Sequence, residues 1–304
     1  MKERNRIVRT HHEDRHRPVF VDLKNDYAFK FVFATPGHEE ALLQLVNCIL
    51  PEKDIVSVRL SAQEQMGDGA RERRGIFDVS CRTQSGEYLE IEMQVRKQKH
   101  FGDRMVFYSS FPVRNFVGEL DNGDYAFTPV YVIGILDFIL PDIKPNDNFL
   151  NSYSIRNDHD SDAVLTDHLH YITIELPKFR KTLEQLENRT EEMAFIFNNI
   201  GSMKEIPPQL QGKGFEKLFE MSKFAAMDEK EIKEYYARQK DIIDQKAALH
   251  CAVSEGMEKG MEKGLEKGME AKSMEIAMAM KMDGQPLELI QRYTGLSADA
   301  VRSL

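Results

Sequence analysis

Two short segments, 75–83 and 88–95, constrain this 304-residue chain more than any other feature, because each carries a polar row opposite an apolar one. In the first, Phe77, Val79 and Cys81 alternate with Asp78 and Ser80. In the second, Leu89, Ile91, Met93 and Val95 alternate with Glu90, Glu92 and Gln94. Such alternation marks a β-strand with one face on a core. If the two strands form a hairpin, their apolar rows share a face, and only pairings whose residue numbers sum to an even value allow it. A one-residue slip would turn one core set outward. A three-residue loop, Gln84-Ser85-Gly86, meets the condition and puts Gly86 where such loops take a left-handed residue. Asp78 then falls opposite Glu92, with Cβ atoms roughly 4.5 to 5.5 Å apart. Facing carboxylates repel, so replacing either with Ala is expected to leave the fold intact. A hard cation between them removes the repulsion, and Mg²⁺ takes one or two carboxylates and completes its shell with water and substrate phosphate.

The spacing from Asp78 to Glu92-Met93-Gln94 resembles the metal-binding core of the PD-(D/E)XK nuclease superfamily, and the surrounding words narrow the likeness. They are Asn25-Asp26-Tyr27-Ala28-Phe29-Lys30, Phe77-Asp78-Val79, Ile91-Glu92-Met93-Gln94-Val95, and then Gln98, Phe101, Arg104 and Tyr108. Together with Gly-x-x-x repeats and the ending Tyr293-Thr294-Gly295-Leu296-Ser297, they resemble the recombination-promoting nuclease or putative transposase family. The resemblance is strongest over residues 20–140 and looser through 141–250.

It implies an α/β restriction-endonuclease-like core, a mixed sheet flanked by helices, followed by a mainly helical C-terminal region. It also implies a DNA endonuclease that hydrolyses phosphodiester bonds in transposition or recombination, with Mg²⁺ or Mn²⁺ held by Asp78 and Glu92 and with Gln94 beside them. Two positions depart from the superfamily name: Phe77 stands where it has Pro, and Gln94 where it has Lys. Gln94 can orient water or a phosphate oxygen through its amide, but it brings no charge. The superfamily often draws an acidic ligand from its first helix, which makes Asp26 a third carboxylate, although an Asn-Asp pair at a helix start is also explained by capping. Glu90, on the same row, is the alternative acid. Gln98, Arg104 and Tyr108 match the family words and have a second explanation as anchors of the following helix.

The formal net charge of -9 argues at first against a nucleic-acid partner. Its distribution along the chain points the other way. Residues 1–120 hold 19 Lys and Arg against 18 Asp and Glu, and residues 121–304 hold 22 against 32. Basic clusters also bracket the acidic pair: Arg71, Arg73 and Arg74 before it, and Arg96, Lys97, Lys99 and Arg104 after it. These are candidate contacts to DNA phosphates. The longest apolar run, 130–136, is far shorter than the roughly 20 residues a membrane span needs. Residues 1–18 have no apolar signal core, and three scattered cysteines suit a reducing compartment, so a cytoplasmic location is expected.

Along the chain, residues 1–19 read as a flexible tail and 20–177 as the nuclease-like domain. Helices are expected over 22–34, 37–50 and 101–120, and strands at 55–60, 130–136 and 170–176. The nearly continuous apolar run 130–136 suits a central strand covered on both faces. Residues 178–255 read as helical, with helices at 179–200, 214–227 and 229–255. The last part, 256–304, joins a Gly-repeat helix to a small helical module. There Gly256, Gly260, Gly264 and Gly268 recur every four residues and fall near one side of a helix. Each costs about 1 kcal/mol relative to Ala, which the close approach of a second helix would offset, so a homo-oligomer is expected; a low-complexity linker is the other reading. At this level a DNA-binding relative with a decayed site and a non-enzymatic oligomerisation protein also remain open.

Overall fold

The computed structural model describes residues 18–61, 78–118, 125 and 127–304. Its elements run α1 (Asp26–Ala34), α2 (Glu39–Ile49), β1 (Val58–Leu60), β2 (Val79–Thr83), β3 (Tyr88–Gln94), α3 (Phe101–Gly118), β4 (Val130–Leu136), β5 (Leu150–Arg156) and β6 (Val164–Glu175). Five helices follow: α4 (Arg189–Asn199), α5 (Glu216–Met221), α6 (Glu229–Met282), α7 (Leu287–Thr294) and α8 (Ala298–Ser303). The chain divides into two compact units, Met1–Gln239 and Lys240–Leu304.

The first unit is built on a six-stranded mixed sheet in the order β1-β2-β3-β4-β6-β5. β2 and β3 pair antiparallel through Val79 with Ile91, Ser80 with Glu90, and Cys81 with Leu89. That is the register read from the alternation. Gly86 closes the loop with φ +89°, and its N–H donates to the Thr83 carbonyl at 3.0 Å. β3, β4 and β6 run parallel, and β5 returns antiparallel along β6.

Both faces of the sheet are covered. Leu89, Ile91, Ile133, Ile135, Ile172 and Ile174 form one core with Phe29 and Phe33 of α1, Leu42 and Leu45 of α2, Phe197 of α4 and Phe219 of α5. Tyr88, Val130, Val132 and Leu136 form the other with Phe101, Met105 and Phe116 of α3. The polar row of the hairpin shares this second face. Ser80, Glu90 and Glu92 are therefore buried, as is Asp78, and the expectation that Ala at either member of the acidic pair leaves the fold intact, which suits exposed carboxylates, is corrected. The alternation reported which side chains share a face; it could not report that a helix arriving later in the chain covers them.

Other boundaries shift for local reasons. Asn25 caps α1, its Oδ1 accepting from the N–H groups of Tyr27 and Ala28, so the helix starts at Asp26 instead of Asp22. The helix expected from residue 179 begins only at Arg189, where Asn188 Oδ1 accepts from Glu191 N. β5 is an additional strand at the sheet edge, and α6 continues through the glycine repeat to Met282.

In the second unit the remainder of α6 leads to α7 and α8. Ala277, Ile290 and Val301 form a small core, and Ser297 Oγ caps α8 by accepting from Ala300 N. Among the described residues nothing fills the space where a Cβ would stand at Gly256, Gly260, Gly264 and Gly268.

Gly134 of β4 lies beside Glu92 of β3, under the ring of Phe101. A Cβ there would stand 2.8 Å from Phe101 Cε1 and 3.1 Å from its Cζ, and that ring is 2 % exposed. Overpacking of this kind costs about 1–3 kcal/mol, more than the roughly 0.5–1 kcal/mol that Ala gains over Gly in a strand. Gly134→Ala is therefore expected to lower the urea unfolding midpoint; an unchanged or higher midpoint would contradict this packing.

Candidate metal centre

Asp78 sits one residue before the Val79–Ile91 pair and so continues the hairpin register alongside Glu92. Its Oδ2 accepts the N–H of Met93 at 2.8 Å, which locks the carboxylate onto the neighbouring strand. Its Oδ1 faces the ammonium of Lys30 from α1 at 2.9 Å. Glu92 Oε1 accepts from Nη2 of Arg104, one turn into α3. The remaining nitrogens of that guanidinium are also held: Nη1 donates to Gln98 Oε1 and Nε to Tyr108 Oη, both at 2.6 Å. Gln98, Arg104 and Tyr108, named from sequence as matching words, thus form one network around Glu92. The network also anchors α3 to the sheet.

Each carboxylate therefore meets a cation of the chain, yet burial outweighs the pairing. Asp78 and Glu92 are each 8 % exposed. Burial raises Asp78 against the opposing pull of Lys30. For Glu92, burial and the neighbouring Asp78 outweigh Arg104 and push the carboxyl up to about 7. Glu90, 2 % exposed, is pushed up to about 9 by burial and by Glu92, and among the described residues its Oε2 has no hydrogen-bond partner. A monovalent partner on each side does not restore what the lost water supplied.

Gln94 ends β3 and is half-buried; its Nε2 donates to the Arg96 carbonyl at 3.2 Å. Asp26 occupies the first turn of α1, four residues before Lys30, and its charge acts on Asp78. It does not join the pair: among the described residues no three His, Cys, Asp or Glu side chains converge as a metal cluster. The donor set is then two hard carboxylate oxygens, the number Mg²⁺ takes when water and a phosphate supply the rest. The residues present fit such an ion. Arg96, Lys97 and Lys99 are exposed between β3 and α3, whereas Arg104 is turned inward to Glu92. Arg71, Arg73 and Arg74 lie outside the described residues. Lys30 was not singled out as a site residue from sequence. Its place four residues after Asp26, on one face of an amphipathic helix, was the available signal.

Beside Asp78 a cleft of about 590 Å³ opens, lined by Tyr27, Lys30, Phe31, Leu60 and Ser80 among others. No helix among the described residues is long and apolar enough to cross a membrane.

The raised carboxyls set a pH dependence of stability. The folded chain holds protons on Glu92 up to about pH 7 and on Glu90 up to about pH 9, whereas an unfolded Glu releases them near 4.5. The contribution is fully present below the unfolded value and is lost as pH rises through the folded ones, at up to about 1.4 kcal/mol per pH unit for each proton retained. Glu90→Gln should match the wild type in stability near pH 4.5 and gain on it steadily toward pH 9, measured by urea unfolding in chelator. A difference that does not change with pH would contradict the buried neutral acid.

No curated protein and no solved structure matches the chain significantly. A family model does, over residues 23–252, from α1 into α6 and across both carboxylates. With its mixed sheet, flanking helices and facing acids, the chain belongs to the PD-(D/E)XK nuclease family transposases.

Proposed function

We propose that the protein is a divalent-metal-dependent DNA endonuclease that uses Asp78 and Glu92 as its metal ligands. The observation that carries the reading is the side-by-side placement of these two buried carboxylates, one just before β2 and the other on β3, each left under-neutralised by its cation. Mg²⁺ or Mn²⁺ held there would stabilise the charge that develops on the phosphoryl oxygens and acidify a water. The chain supplies the rest. Met93 N–H fixes the orientation of Asp78, and Arg104, itself held by Gln98 and Tyr108, fixes Glu92. Asp26 adds negative field from α1. Gln94 ends the strand beside the pair and can present its amide oxygen to a water. The exposed Arg96, Lys97 and Lys99 would grip phosphates without reading sequence, which makes binding salt-dependent. Hydrolysis joins a water oxygen to phosphorus and breaks the bond to one ester oxygen, which leaves with a proton from that water.

The isosteric changes Asp78→Asn and Glu92→Gln keep the buried shape while removing the charge. Each is expected to reduce nicking of supercoiled plasmid in Mg²⁺ or Mn²⁺ at least 100-fold. Nicking at the wild-type rate by either variant would remove the proposal.

We further propose that the glycine stripe of α6 pairs with a second copy of the chain. Among the described residues nothing lies within 4 Å of where a Cβ would stand at Gly256, Gly260, Gly264 or Gly268, and Met257, Met261, Leu265 and Met269 beside them are exposed. Each copy presents the same surface, so a two-fold dimer is the simplest closed arrangement. Changing Gly260 and Gly264 to Leu should raise the dimer dissociation constant at least tenfold in sedimentation experiments while increasing helix content. A wild-type monomer at micromolar concentration, or a dimer indifferent to the double change, would overturn the pairing.

A further inference from the structure

We propose that Lys30 is a catalytic residue that supplies the cation missing at Gln94, reaching the scissile phosphate from α1 instead of from β3. The proposal rests on the reading of Asp78 and Glu92 as a nuclease site. The motif position itself cannot provide the charge: Gln94 is neutral, and its Nε2 is engaged with the Arg96 carbonyl. Among the described residues two cations touch the carboxylates, and their situations differ. Arg104 has Nη2 on Glu92, Nη1 on Gln98 and Nε on Tyr108, so its fork is committed to holding α3 against the sheet. Lys30 carries an ammonium with three donors and meets Asp78 Oδ1 at 2.9 Å, with a side chain 37 % exposed. It lines the cleft that opens beside Asp78.

An ammonium on a flexible stem is suited to such a role. Were Asp78 to hold a divalent ion, Lys30 would give up Oδ1, and its flexible stem would still let the ammonium reach an anion in the cleft that both residues line. A non-bridging oxygen of the scissile phosphate is the anion that the chemistry puts there. As negative charge accumulates on that oxygen during attack, a cation already in place lowers the barrier, an effect that counts for more away from bulk water. The same geometry makes Lys30 a competitor of the metal for Asp78, so removing it should not weaken metal binding. A residue that merely supports Asp78 would behave in the opposite way.

The test compares Lys30→Met with the wild type in two measurements. The first is single-turnover nicking of supercoiled plasmid in Mn²⁺, and the second is calorimetric titration with Ca²⁺ in the absence of DNA. The expected result is a rate at least 100-fold lower with Ca²⁺ affinity unchanged or tighter, and a rate restored at least tenfold when Gln94→Lys is added to Lys30→Met. A rate within tenfold of wild type, a fall matched by loss of Ca²⁺ binding, or a double variant no faster than Lys30→Met would overturn the proposal. If the wild type nicks and Asp78→Asn does not, such a result removes the role of Lys30 alone. A wild type that does not nick removes the nuclease reading and this inference with it.

Discussion

The register of the β2–β3 hairpin is the constraint on which the rest of this site depends. Pairing Val79 with Ile91 places Leu89, Ile91 and Cys81 in one core and leaves Asp78, Ser80, Glu90 and Glu92 together on the opposite face. A shift of one residue would bury a charged row against α1 and α2 and take the apolar one out of that core, so the packing of the sheet and the meeting of the carboxylates are one event. Gly86, in a left-handed conformation, closes the loop that holds this register.

Covering that face with α3 buries a polar strand row. Desolvation raises all three acids, and for each of them it outweighs the opposing charge where one is present. Lys30 and Arg104 tie α1 and α3 to the sheet through the carboxylates, so three elements meet at one pair of side chains. The cations of the chain leave these acids under-neutralised. Under the proposed function, a divalent ion held by Asp78 and Glu92 would bring twice the charge of either partner to this buried pair.

Much of this was legible in the chain, and the failures share a cause. The hairpin, its register, the loop glycine and the apolar strand 130–136 follow from local alternation and turn chemistry, which need no knowledge of distant residues. β5 escaped notice because an edge strand such as Leu-Asn-Ser-Tyr-Ser-Ile-Arg is half polar on both faces and lacks the alternation that a one-sided strand shows. The burial of Glu90 and Glu92 depends on a helix that begins after the strand ends, and the reach of Lys30 to Asp78 spans 48 positions. Contacts of that kind leave no periodic trace. The continuity of α6 through four glycines lies at the other extreme: propensity alone disfavours it, and the helix runs on regardless.

The central claim is that Asp78 and Glu92 together form one divalent-metal site. Mn²⁺ binding, followed by electron paramagnetic resonance of the free ion during titration of the DNA-free protein, addresses that claim without requiring turnover. The account predicts a site in the wild type whose affinity falls at least tenfold in Asp78→Asn and in Glu92→Gln alike. Binding of Mn²⁺ with the same affinity and stoichiometry in the wild type and in both variants would contradict it.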